Sequence, residues 1–231
     1  MKALIAILVV LVLVVAGLVV ADRVAESYAS SVIAQKLTSD LRLSQKPQVQ
    51  IQGFPFLNQW ATGDYQEIDV RIPSATAQTI TVTDIDAVVK GFHANPFLTS
   101  GANLGTATAS SVELTGLVAY SQVPLPSGFT AAASGSQLEV SGSISFLGVS
   151  IPVTATEQIS LSGSTVAFKP TDVRAQGGGI NVDVSGAVAK KLSMSFSLQG
   201  LPLGLQVTAI TVGPQGLQVT AQGQNVSLAA A

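Results

Sequence analysis

From Ala3 to Ala21 every side chain is apolar or absent, and charge returns only at Asp22 and Arg23. A helix of that length spans about 28 Å, close to the thickness of a hydrocarbon core. The run therefore predicts a signal anchor or a long signal peptide over residues 1–21, with the small residues Val19 and Ala21 fitting a cleavage site and the uncleaved anchor the reading preferred. Lys2 ahead of the run predicts a cytoplasmic amino terminus and an exported body, residues 22–231, expected to be a single domain.

Beyond the run the period becomes helical. Val24, Tyr28 and Val32 recur at four-residue spacing, as do Ala25, Ala29 and Ile33, and then Ile33, Leu37 and Leu41. This predicts a second helix over 22–44, with Asp22 as N-cap and Pro47 closing it. Glu26, Lys36, Asp40 and Arg42 lie off the apolar stripe, and Tyr28, Val32, Ile33 and Leu37 are its groove-lining candidates. From Val49 the period falls to two: Ile68, Val70, Ile72; Leu138, Val140; Ile151, Val153; Val166, Phe168; Ile180, Val182, Val184; Leu192, Met194, Phe196, Leu198. Gly, Ser, Asn and Pro separate these runs, the pattern of an antiparallel sheet with one apolar face. Ser110 and Glu113 have capping-box spacing and predict a short helix near 111–120. Gly204–Ala221 contains the same six residues twice around Gly213-Pro214-Gln215-Gly216, which predicts a hairpin.

Composition narrows the chemistry. Of 231 residues 47% are hydrophobic and only 10% charged, with a net charge of -2. Ordinary domains carry roughly 25% charged residues, so the surface is kept wet mainly by neutral polar side chains. Eleven basic residues against thirteen acidic ones create no field for nucleic acid. The absence of cysteine excludes disulfides and thiolate nucleophiles.

Catalytic groups are scarce. The one histidine, His93, has no cysteine or carboxylate at metal-ligand spacing and reads as a loop residue. A lipid-hydrolysing reading needs it beside a serine and an acid, and no Gly-x-Ser-x-Gly elbow supports one. Asp84 and Asp86 fall on one strand face and read as solvated acids rather than a carboxylate pair. Gly177-Gly178-Gly179 lacks a following Lys-Ser/Thr and reads as a turn. Neither cofactor nor metal is implied, and the reading is non-enzymatic.

One segment stands apart. Gly53-Phe54-Pro55-Phe56-Leu57-Asn58-Gln59-Trp60 packs large apolar groups, the sole Trp included, around a proline. It reads as non-helical, and as either a plug in the end of the sheet, the preferred form, or a membrane-contacting tip. Gly53, Phe54, Pro55, Phe56, Leu57 and Gln59, then Gly63 and Tyr65, following an apolar segment and helix, resemble the signature of the LmeA-like phospholipid-binding proteins of actinobacterial cell envelopes. Leu138–Gly142, Leu147–Val153, Gly177-Gly178 and Leu201–Leu228 extend the resemblance over most of 22–229.

The resemblance implies an α+β, mostly β fold of the tubular lipid-binding kind, in which a long curled antiparallel sheet wraps a helix beside an apolar groove. It also implies phospholipid binding and, in the best-known member, support of mannan elongation on envelope lipoglycans. Physical chemistry sets the same requirement, because exposing a sixteen-carbon chain to water costs on the order of 12 kcal/mol. Lys169, Arg174, Lys190 and Lys191 are candidate contacts for an anionic head group. The expected place is the outer side of the cytoplasmic membrane or the periplasm, anchored through 3–21 or secreted. The other reading is a structural or assembly partner with a filled core, regulating an envelope glycosyltransferase through protein contacts.

Overall fold

The computed structural model describes residues 2–77, 80–96, 107–146, 149–175, 185–197 and 201–227. Three helices and eleven strands alternate along it: α1 (Lys2–Asp40), β1 (Gln48–Gln52), α2 (Phe56–Thr62), β2 (Asp64–Ala77), β3 (Ile80–His93) and β4 (Thr108–Ala119). Then come β5 (Phe129–Ser134), β6 (Gln137–Phe146), β7 (Val149–Ser162), β8 (Thr165–Ala175), α3 (Ser185–Leu192), β9 (Met194–Ser197), β10 (Gln206–Val212) and β11 (Gly216–Ser227). The fold is α+β and mostly β. Its strands form two antiparallel sheets, ordered β1-β2-β3-β4-β11-β10 and β5-β6-β7-β8-β9.

The chain divides into two compact units, Met1–Pro73 with Asp86–Glu113 and Gly223–Ala231, and Ser74–Ile85 with Leu114–Gln222. In the first, α1 is one continuous helix, where two segments with a break at Asp22 were expected. Ala21 and Asp22 offer helical backbone no interruption, and without Gly or Pro between them the apolar and amphipathic stretches fuse. The helix ends at Asp40, short of 44, and Arg42 follows at φ 50. The apolar side chains of Ile5 and of residues 7–20 are exposed, so no protein surface covers them. It is the one described helix long and apolar enough to cross a membrane. Further along, α1 turns a stripe of small and polar residues toward β1: Asp22, Ser30 and Ala34 are buried. Glu26 accepts hydrogen bonds from Ser30 Oγ at 2.7 Å and from the Ile51 amide at 3.2 Å, tying helix to strand.

The second unit holds the five-stranded sheet, whose apolar face is built as the alternation predicts. Leu138 and Val140 on β6, Ile151 and Val153 on β7 and Val166 and Phe168 on β8 are all buried. Each contributes roughly 1.5–3 kcal/mol by leaving water. One cluster joins Val140, Ile144, Ile151 and Val153 to Val188 and Leu192 of α3. A second joins Leu138, Val166 and Phe168 to Val123 and Leu217. The β10–β11 hairpin forms as the repeat predicts, pairing Val212 with Leu217 around Gly213-Pro214-Gln215-Gly216.

Two further expectations are corrected. Residues 111–120 lie largely in β4, not in a helix. Its buried positions, Ala109, Val112 and Gly116, are three and four apart and so imitate a helical face, but the β-branched Val112 and Thr115 favour a strand. Gly116 is required there, since a Cβ would come within 2.6 Å of Val82 Cγ1. Conversely, α3 occupies 185–192, and the strand beat begins only at Met194, with Leu192 in the helix. The Gly177–Gly179 turn, the strand over 180–184 and Leu198 fall outside the described residues.

Candidate functional site

The Gly53–Tyr65 segment is organised by Phe56 and Gln59. Contrary to the expected non-helical turn, Phe56–Thr62 is α-helical. Pro55 precedes the first helical residue, where its missing N–H costs nothing. Phe56 is fully buried, with its ring centroid 6.4 Å from that of Tyr65, which lies 5.8 Å from Phe92. Burial pushes the Tyr65 hydroxyl up to about 12, so it stays neutral. Gln59, also buried, donates through Nε2 to Gln52 O at 3.0 Å and accepts through Oε1 from the Gln66 amide at 2.9 Å, lacing β1 and β2 together. Gly63 closes α2 at φ 78, and its amide donates to Gln59 O at 2.8 Å.

The start of α2 is capped from outside. Asp22 Oδ1 accepts the Leu57 amide at 2.9 Å, and Oδ2 lies 2.8 Å from Arg23 Nη2. Asp22 is thus a mid-helix residue of α1 that caps another helix, not the N-cap of its own. Burial opposes its charge, but the Leu57 and Phe56 amides and Arg23 outweigh that and hold the carboxyl below its ordinary value. Around this inner contact the segment turns Phe54 and Leu57 outward, 60% and 36% exposed. The Arg23 guanidinium stands 5.4 Å over the Phe54 ring. Trp60 is half-buried. The motif therefore divides: Gly53, Pro55, Phe56 and Gln59 build the loop, whereas Phe54 and Leu57 face away from it.

The other candidates are spread along the chain. On α1, Val32, Ile33 and Leu37 are half-buried, whereas Tyr28 is 72% exposed, on the face away from Ala34. Of the basic candidates, Arg174 is paired with Asp172 at 2.6 Å. Lys190 and Lys191 are exposed in the last turn of α3, with Lys191 Nζ 5.2 Å over the Phe129 ring, and Lys169 is exposed on β8. His93 ends β3 with Nδ1 2.5 Å from Asp64 Oδ1. Ser110 lines the same depression, but no hydrogen bond joins it to His93 among the described residues, and the His93 and Asp64 side chains are 59% and 69% exposed. Asp86 pairs with Arg71 at 2.7 Å, and Asp84 is exposed at φ 48. Among the described residues no three metal-ligating side chains converge.

In the second unit a cavity of about 540 Å³ opens between β6, β7 and β10, bordered by Leu138, Ile159, Ile210 and Val212. That is within the range of roughly 300–1,000 Å³ typical of small-molecule sites. Glu157 lines it as well, a residue the sequence reading passed over. The signal was an acid standing where the beat Ile151, Val153, Ala155, Ile159, Leu161 asks for an apolar side chain.

Compared with protein families, the chain matches LmeA-like phospholipid-binding over residues 20–222. No curated protein and no solved structure matches.

Proposed function

Because the chain belongs to the LmeA-like phospholipid-binding family, we propose that it is a membrane-anchored phospholipid-binding protein of the cell envelope, holding acyl chains against the apolar face of the five-stranded sheet without chemically altering them. The observation that carries this reading is the cavity where Leu138, Ile159, Ile210 and Val212 adjoin an apolar cluster, with Ser136, Gln137 and Thr211 at its polar border. Lys169, Lys190 and Lys191 supply positive charge for an anionic head group. The protein stands on the outer side of the cytoplasmic membrane, where bound lipid can be carried or presented to the machinery that elongates lipoglycan mannan.

An uncleaved anchor fits the local chemistry. Cleavage after Ala21 would create a charged amino group on Asp22, whose side chain is buried against the amides of α2. Phe54 and Leu57, held beside this junction, act as a membrane-contacting tip, while Phe56 fills the role of plug.

Native mass spectrometry of the full chain, released from detergent after mixing with phosphatidylglycerol vesicles, tests the reading. One or more bound phospholipids are expected. A protein that emerges bare, and whose deletion lowers lipoglycan mannan length, would instead act through protein contacts on a glycosyltransferase.

A further inference from the structure

The apolar face of the five-stranded sheet carries one buried acid. Along β7, Ile151, Val153, Ala155 and Glu157 take successive inward positions, and Glu157 keeps only 5% of its surface. Both its carboxyl oxygens lack a hydrogen-bond partner, and among the described residues no other buried side-chain polar atom does. Packing does not call for it, since Leu138 lies directly opposite on β6 and an aliphatic side chain would continue the face. The ladder to β8 shifts register between Thr156 and Glu157, a bulge of the kind that re-aims a side chain.

The surroundings define what such an acid can hold. Apart from Glu157, no residue lining the cavity ionises. On the flanking strands Glu139 alternates with buried Leu138 and Val140 and so points to the opposite face, while Lys169, Asp172 and Arg174 of β8 are exposed; β10 carries no charged residue. An anionic phosphate brought to this carboxyl would meet no cation. A neutral acceptor above two apolar chains meets no such penalty. We propose that Glu157 is the polar grip of the lipid site, donating its carboxyl hydrogen to an ester carbonyl of a diacyl glycerophospholipid whose chains lie along Leu138, Ile159, Ile210 and Val212. Burial pushes Glu157 up to about 7, so that the protonated, donating form is available up to neutral pH. The inference rests on the phospholipid-binding reading above.

The test uses the full chain in non-ionic detergent, offered an equimolar mixture of diester and diether phosphatidylglycerol with the same chains, with bound species read by native mass spectrometry. At pH ~6 the wild type is expected to favour the diester by about three- to tenfold, the worth of one hydrogen bond. Glu157→Gln, whose amide also donates, keeps the preference, and Glu157→Leu loses it while retaining the fold, as circular dichroism shows. Raising the pH to ~8.5 weakens the preference in the wild type but not in Glu157→Gln. Equal binding of both lipids by the wild type, or an undiminished preference in Glu157→Leu, overturns the grip and leaves phospholipid binding standing. A wild type that binds neither lipid overturns both.

Discussion

Asp22 joins two helices through one carboxylate, and its removal leaves the first amides of α2 unpaired beside an unneutralised Arg23. Asp22→Ala is expected to destabilise the first unit by about 2 kcal/mol, with Asp22→Asn, which keeps an acceptor oxygen, in between. Hydrogen exchange at the Phe56 and Leu57 amides reads this directly, and unchanged protection there would refute the cap. Gly63→Ala should cost at least as much, because at φ 78 its Cβ would stand 2.1 Å from Ala94 O. Gly186→Ala in α3 meets nothing within 4 Å and should gain up to about 1 kcal/mol. Glu157 sets a pH dependence whose sign is fixed by its burial. Its carboxyl titrates near 4.5 when unfolded and near 7 when folded, so the folded state keeps the proton longer. Stability therefore falls as pH rises from about 4.5 to 7 and levels off above. Discounted for relaxation of the charged form, the loss is ~2 kcal/mol, or about 4–8 °C in Tm. Glu157→Gln should show a flat profile across that range, and a parallel decline in both proteins would mean that another group titrates.

At the scale of elements, alternation was legible wherever one strand face is buried and the other wet, as in Leu138–Val140 and Ile151–Val153. It failed where buried positions are not two apart. In β4 the spacing of Ala109, Val112 and Gly116 imitates a helix, whereas the true helix α3 is short and contains Gly186. Its signals were present in Val188 and Leu192 one turn apart and in Lys190 and Lys191 at the end, where cations favour the dipole. The Phe54–Trp60 segment was legible as special but not as helical, because the cap that lets α2 start comes from Asp22, 35 residues away from Leu57 in sequence. Likewise the cavity needs Ile210 and Val212 brought beside β7, which no local pattern announces. The element α3 carries its own prediction: replacing Lys190 and Lys191 with Gln should weaken binding to anionic vesicles by about 1 kcal/mol per charge and flatten its salt dependence. Neutral vesicles should be bound as before, and an equal loss on both would point to damage in the packing of Val188 and Leu192.

At the scale of the whole molecule, the proposed anchoring through α1 fixes which part of the body would meet a bilayer. The apolar side chains of α1 at Ile5 and over residues 7–20 have no protein cover, and the next turn of the same helix holds Asp22 and Arg23 against the loop that bears Phe54 and Leu57. At 1.5 Å per residue the cap lies within about 2 Å of the end of the apolar run along the helix axis. Aromatic and arginine side chains at such a level place their apolar parts among acyl chains and their polar ends among head groups. The absence of cysteine makes this measurable, since one introduced thiol takes one environment-sensitive label. In the full chain reconstituted into nanodiscs, labels at Phe54→Cys and Leu57→Cys should emit as in a membrane interface and be quenched by lipid-borne quenchers. A label at Ser39→Cys, exposed on α1 about 26 Å beyond Asp22, should emit as in water. Equal emission from all three sites would place the loop clear of the bilayer, and Phe54 and Leu57 would then be exposed for some other partner.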